Sequence, residues 1–75
     1  MTETRTERMI IRRYLENEPG LDAAQRERIA ACYLDHQSAE EAAGAAHLSP
    51  LTTRMIYYRL AMALVHSALT GVMSA

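Results

Sequence analysis

The chain contains no lysine, a single cysteine, two prolines, three glycines and no block of like charge. Each shortage excludes something. Cys32 cannot close an internal disulfide and no metal-ligand cluster accompanies it, so it reads as a small buried residue on a helix, not a reactive thiol. So little proline and glycine leaves no linker that could divide the chain, which implies one domain over residues 1–75. No charged-then-apolar leader is present and no apolar run approaches the ~20 residues that span a bilayer, so a cytoplasmic protein with no membrane partner is expected. Glycine-rich phosphate loops, paired-carboxylate sites, nucleophile elbows and zinc patterns are all missing, which argues against an enzyme and implies no cofactor and no metal. Positive charge is also scarce. Eight arginines face nine acids for a formal net charge of −1, a poor electrostatic footprint for a nucleic-acid binder.

What is present is hydrophobic residue content of 49% with alanine throughout and no alternating β-branched run, the composition of an all-α globular domain. At 75 residues a single core stabilises only marginally, which makes self-association, as a homodimer, a plausible supplement. Four helical stretches are expected. The first, about 4–17, sets Ile10, Ile11, Tyr14 and Leu15 on one side, with Arg5, Arg8, Arg12 and Glu16 on another. Glu3, Glu7 and Glu16 interleave with Arg5, Arg8, Arg12 and Arg13, so this basic series reads as a solvated face laced by i, i+4 pairs more readily than as a phosphate-binding arm. Glu18-Pro19-Gly20 breaks the helix and Asp22 caps the next, about 23–35, which buries Ile29, Ala30, Tyr33 and Leu34 and exposes Gln25, Arg26 and Glu27. His36-Gln37 closes it. His36, His47 and His66 match no metal spacing and read as turn or surface residues.

Two helix-start signals then follow eleven positions apart. Ser38 with Glu41 makes a capping box, and Ser49 can cap a further helix with Pro50 at its first position. Between them, Ala39 to about Ala46 is nearly all small. Ala42, Ala43, Gly44, Ala45 and Ala46 read as a surface for close packing against the fourth helix, and only tight packing would offset the roughly 1 kcal/mol that Gly44 costs a helix interior. The fourth helix, Pro50 to about Leu69, is the longest. The pattern predicts a four-helix helix-turn-helix domain with a long C-terminal helix.

The stretch from Gln25 to Leu64 resembles the promoter-reading C-terminal domain of bacterial sigma factors and, more loosely, the LuxR-type DNA-binding domain. The resemblance rests on Gln25-Arg26-Glu27, Tyr33-Leu34, Ser38-x-Glu40-Glu41-x-Ala43 and Leu48-Ser49-x-x-Thr52, within a helix-turn-helix region of about 22–69. It implies a small bacterial transcription regulator that binds promoter DNA in the major groove through the helix opened by Ser49, in contact with RNA polymerase. The positions matching Leu51, Thr52, Arg54, Met55 and Tyr58 would then face DNA, and those matching Thr53, Tyr57, Leu60 and Leu64 the core. Ser49, Thr52, Arg54 and Arg59 are the candidate DNA-binding residues.

The departures fall where DNA should be met. Leu51, Met55, Ile56 and Tyr58 stand where polar or basic residues are usual, and from His36 onward Arg54 and Arg59 are balanced by Glu40 and Glu41. Leu51, Met55, Tyr58, Met62, Val65, Leu69 and Val72 recur at alternating spacings of four and three, a second apolar stripe on a different face from the core stripe. Either the first helix folds back over this stripe or it is an interface. Two functions follow: a DNA-binding regulator, dimeric through the last helix, or a module docking on RNA polymerase or another transcription protein through Leu51, Met55, Tyr58, Met62, Val65 and Leu69.

Overall fold

The structure, a computed structural model, describes the backbone of residues 2–74 and the side chains of residues 5–69. Its four helices are α1 (Thr2–Glu16), α2 (Ala23–Leu34), α3 (Ala39–Ala46) and α4 (Pro50–Ser74), and no strand occurs among the described residues. α4 runs past the expected end at Leu69, because nothing in Ala68-Leu69-Thr70-Gly71-Val72 stops a helix as firmly as a proline would.

Local chemistry sets each boundary. Gly20, at φ +83°, turns the chain after α1, and the Arg26 guanidinium reaches back to donate to the Leu15 carbonyl at 3.0 Å. Asp22 caps α2 in a capping box completed by Gln25. α2 ends in a Schellman motif: Gln37 N–H donates to the Cys32 carbonyl at 3.0 Å, His36 N–H to that of Tyr33 at 3.1 Å, and His36 takes the left-handed conformation at φ 61°. α3 opens on the Ser38–Glu41 box, with Glu41 N–H donating to Ser38 Oγ and Ser38 N–H donating to Glu41 Oε1. It closes on His47, again left-handed at φ 57°. Histidine thus occupies the glycine-favoured position at both ends of the turn-forming segment, leaving a three-residue turn, 47–49, before α4.

The helices form a closed ring of neighbours in which α1 packs on α2 and α4, and α3 packs on α2 and α4. Ile11, Leu15, Leu21, Ile29, Ala30, Cys32, Ala42, Ala46, Ile56 and Leu60 make the core, with Tyr14, Tyr33, Leu34, Tyr57 and Leu64 half-buried against it. Cys32 is buried, as its setting in the sequence implied.

Four expectations need correction. α3 does bury Ala42, Ala43 and Ala46, but Gly44 points away from them, is exposed, and has nothing within 4 Å of where a Cβ would stand. It serves no close approach. Ile56 is core at 1% exposure and not an outward residue, since the inward face of α4 is broad enough to take Ile56 as well as Thr53 and Leu60. Gln25 and Arg26 are half-buried and bonded across the fold, Gln25 Nε2 donating to the Ala46 carbonyl at 3.0 Å at the end of α3. On α1, the ion pair among the described side chains runs from Arg12 to Glu27 of α2 and not along the helix; Glu3 and Val72 lie outside the described side chains.

Candidate interaction surface on the fourth helix

Ser49 builds the start of α4. Its Oγ accepts the Thr52 N–H at 3.1 Å and donates to Thr52 Oγ1 at 2.8 Å, while its carbonyl accepts the buried Thr53 hydroxyl at 3.0 Å. The two hydroxyls expected to face DNA, Ser49 and Thr52, are therefore engaged with each other in finishing the helix end. One turn on, Tyr57 locks the rotation of the helix. Its hydroxyl donates to the Gln37 carbonyl at 3.0 Å and its ring meets that of Tyr33 edge-on, centroids 4.9 Å apart. Burial first, and then the negative potential of Cys32, Tyr33 and Glu41, pushes the Tyr57 phenol up to about 12. Burial and, secondarily, Glu7 also raise that of Tyr33.

With Tyr57 held inward, Tyr58 turns about 100° away from it into solvent. The same rotation carries the rest of the stripe outward. Leu51 is 64% exposed, Met55 48%, Tyr58 68%, Met62 52%, Val65 55% and Leu69 62%. At about 100° per residue, these six positions centre about 180° from the Thr53, Ile56 and Leu60 face. α4 is therefore apolar on two opposite sides, and one of them is bare. α1 does not fold over the stripe; it packs along one edge, where Tyr14 lines a shallow groove with Tyr58, Arg59, Met62, Ala63 and His66.

Neither arginine of α4 is a free cation. Arg54 Nε lies 2.8 Å from Glu40 Oε2, and Arg59 Nη1 lies 2.8 Å from Glu18 Oε2. Glu40 is held below the ordinary carboxylate value by a hydrogen bond to its own backbone and by the Arg54 guanidinium. The two pairs differ. Both partners of Arg54–Glu40 are 58% exposed, whereas the Glu18 side chain is 9% exposed and depends on Arg59 for its counter-charge. Sequence reasoning treated Glu18 only as part of a helix breaker, and set Glu40 against the arginines of the fourth helix only as a count of charge, without pairing it to Arg54. Partners 41 and 14 positions away leave no local signal.

Among the described residues, no helix is long and apolar enough to cross a membrane, and no group of three or more His, Cys, Asp or Glu side chains is placed to hold a metal ion. Comparison of the chain with protein-family models, with curated proteins and with solved structures finds no match.

Proposed function

We propose that this protein is a small regulatory module of helix-turn-helix fold that works in transcription by docking the outward face of α4 onto protein, instead of reading promoter DNA. One observation carries the reading: the helix that the resemblance would set in a DNA groove presents Leu51, Met55, Tyr58 and Met62 to solvent, while each of its two arginines is neutralised by a carboxylate. Phosphate attraction supplies most nonspecific DNA affinity and rises with the number of unpaired cations offered. A solvent-exposed tyrosine flanked by adaptable methionines is, by contrast, the composition of a protein-binding hot spot. The transcriptional setting rests on the resemblance of residues 25–64 to the sigma-factor domain, and with it go a cytoplasmic location and RNA polymerase or another transcription protein as the class of partner.

DNA binding is the second reading, favoured by the exposure of Thr52, Arg54 and Arg59 on the turns that follow Ser49. It requires the Arg54–Glu40 pair to open so that Arg54 can meet a phosphate or a base. Fluorescence anisotropy of labelled promoter duplexes at low ionic strength separates the two. The protein-docking reading expects no salt-sensitive binding; a shift that steepens as salt falls and disappears in Arg54→Ala would overturn it.

A further inference from the structure

We infer that the bare face of α4 is covered by a second copy of this chain, the two α4 helices running antiparallel. The inference rests on the protein-docking reading and makes a second copy of this chain, in place of RNA polymerase or another transcription protein, the occupant of that face. The first argument is spacing. Leu51, Met55, Tyr58, Met62, Val65 and Leu69 lie at offsets that mirror each other about position 60, so a two-fold axis there sets Leu51 against Leu69 of the partner subunit, Met55 against Val65 of the partner subunit and Tyr58 against Met62 of the partner subunit. Among the described side chains no stripe residue is left over.

The second argument is area. Six side chains, each 48–68% exposed, offer about 100 Å² apiece, so a pair of copies buries about 1,200 Å², the lower edge of stable interfaces. That size fits a reversible dimer. Charge is the third. From Leu60 to the end the chain carries no Asp, Glu, Lys or Arg, so no unpaired ion need be desolvated along that half of the seam.

Orientation follows from side-chain type. Parallel helices would stack Tyr58 on Tyr58 of the partner subunit in a single layer, and would bring Arg54 beside Arg59 of the partner subunit twice. Antiparallel helices give each tyrosine a methionine, a favourable sulfur–aromatic contact. Arg59 of both copies then lies near the axis, but each brings its own Glu18 carboxylate at 2.8 Å, so two ion pairs meet there and not two bare cations.

Sedimentation velocity of the purified full chain across a concentration series is expected to show a reversible monomer–dimer equilibrium, and Tyr58→Glu is expected to remain monomeric with an unchanged helical circular dichroism spectrum. Leu51→Cys and Leu69→Cys, each in a Cys32→Ala background, fix the direction. Positions 51 and 69 are about 27 Å apart along one helix, so oxidation should link a mixture of the two variants and neither alone, since a disulfide needs Cα atoms within about 7 Å. A chain monomeric at every concentration, a Tyr58→Glu variant that dimerises like the wild type, or Leu51→Cys linking to itself would each overturn the inference. A monomer that also ignores DNA sinks self-pairing and leaves docking on a different protein standing. Salt-sensitive DNA binding sinks the docking reading itself.

Discussion

Replacing Gly44 by alanine should stabilise the protein, and the sign of the effect is the test. Gly44 sits inside α3 at ordinary helical φ, exposed, with open space where a Cβ would go. A methyl group there meets nothing, so the folded state is not strained. The unfolded chain loses conformational freedom, and the helix gains a better former. Glycine is about 1 kcal/mol worse than alanine in a helix interior, and position 44 lies two residues from the end of an eight-residue helix, so the expected gain is about 0.5–1 kcal/mol. For a domain of this size that raises the melting temperature by about 2–8 °C. Thermal unfolding followed by circular dichroism at 222 nm, with urea midpoints in parallel and both proteins at the same concentration, reads it directly. The opposite expectation is equally definite. If Gly44 allowed α3 to approach α4, the added methyl would clash and the midpoint would fall. A lower melting temperature in Gly44→Ala would therefore refute the placement of this residue on the outer face of α3.

Two further outcomes bear on how α4 is held. Arg59→Ala should cost about 1–3 kcal/mol in urea denaturation, since it strands a nearly buried Glu18 carboxylate, whereas Arg54→Ala should be indistinguishable from wild type because both members of its pair are well solvated; equal losses in the two variants would contradict the distinction. Tyr57 should ionise last among the tyrosines in an absorbance titration at 295 nm, at about pH 12. Because its folded value lies above the ordinary 10.0, its contribution to stability is complete below pH 10 and is lost as pH rises towards 12. Tyr57→Phe should abolish that late step, and a titration in which it persists would assign it elsewhere.

The element boundaries were legible because they are written in local chemistry. Ser38 with Glu41, Ser49 before Pro50 and Gly20 after Pro19 each act within four residues, so their geometry follows from spacing alone. The phase of α4 was legible only in part. Thr53, Leu60 and the half-buried Tyr57 and Leu64 fell on the core side as their spacing implied, yet Ile56 did not fall outward. When opposite faces of a helix are both apolar, periodicity has no strong preferred direction, and only the neighbours α1 and α3 decide which residues are covered. The ion pairs were illegible for a related reason: Arg59 and Glu18 are brought together by the closure of α1 onto α4. The outward stripe was correctly separated from the core. Whether α1 covered it depended on that same closure.

The commitments of the two arginines bear on the choice between the two proposed readings. A helix that reads DNA needs cations free to exchange water for phosphate. Here Arg59 is drawn into neutralising Glu18, whose carboxyl sits at the junction of α1 with the rest of the ring, so moving it to a phosphate would leave a charge stranded in the fold. Arg54 could be released at little cost, but one cation on α4 contributes one phosphate contact, far short of the six to ten that make strong DNA binders so salt-dependent. The apolar side of the ledger points the other way. Core residues on α4 end at the half-buried Leu64, while the exposed series continues through Val65 and Leu69 on a helix that extends to Ser74. The later turns are therefore not required to close the four-helix ring, and an apolar helix of that length has no advantage in water unless something covers it. On the docking reading stability and association are linked: whatever buries the stripe also adds to the support that a 75-residue core supplies.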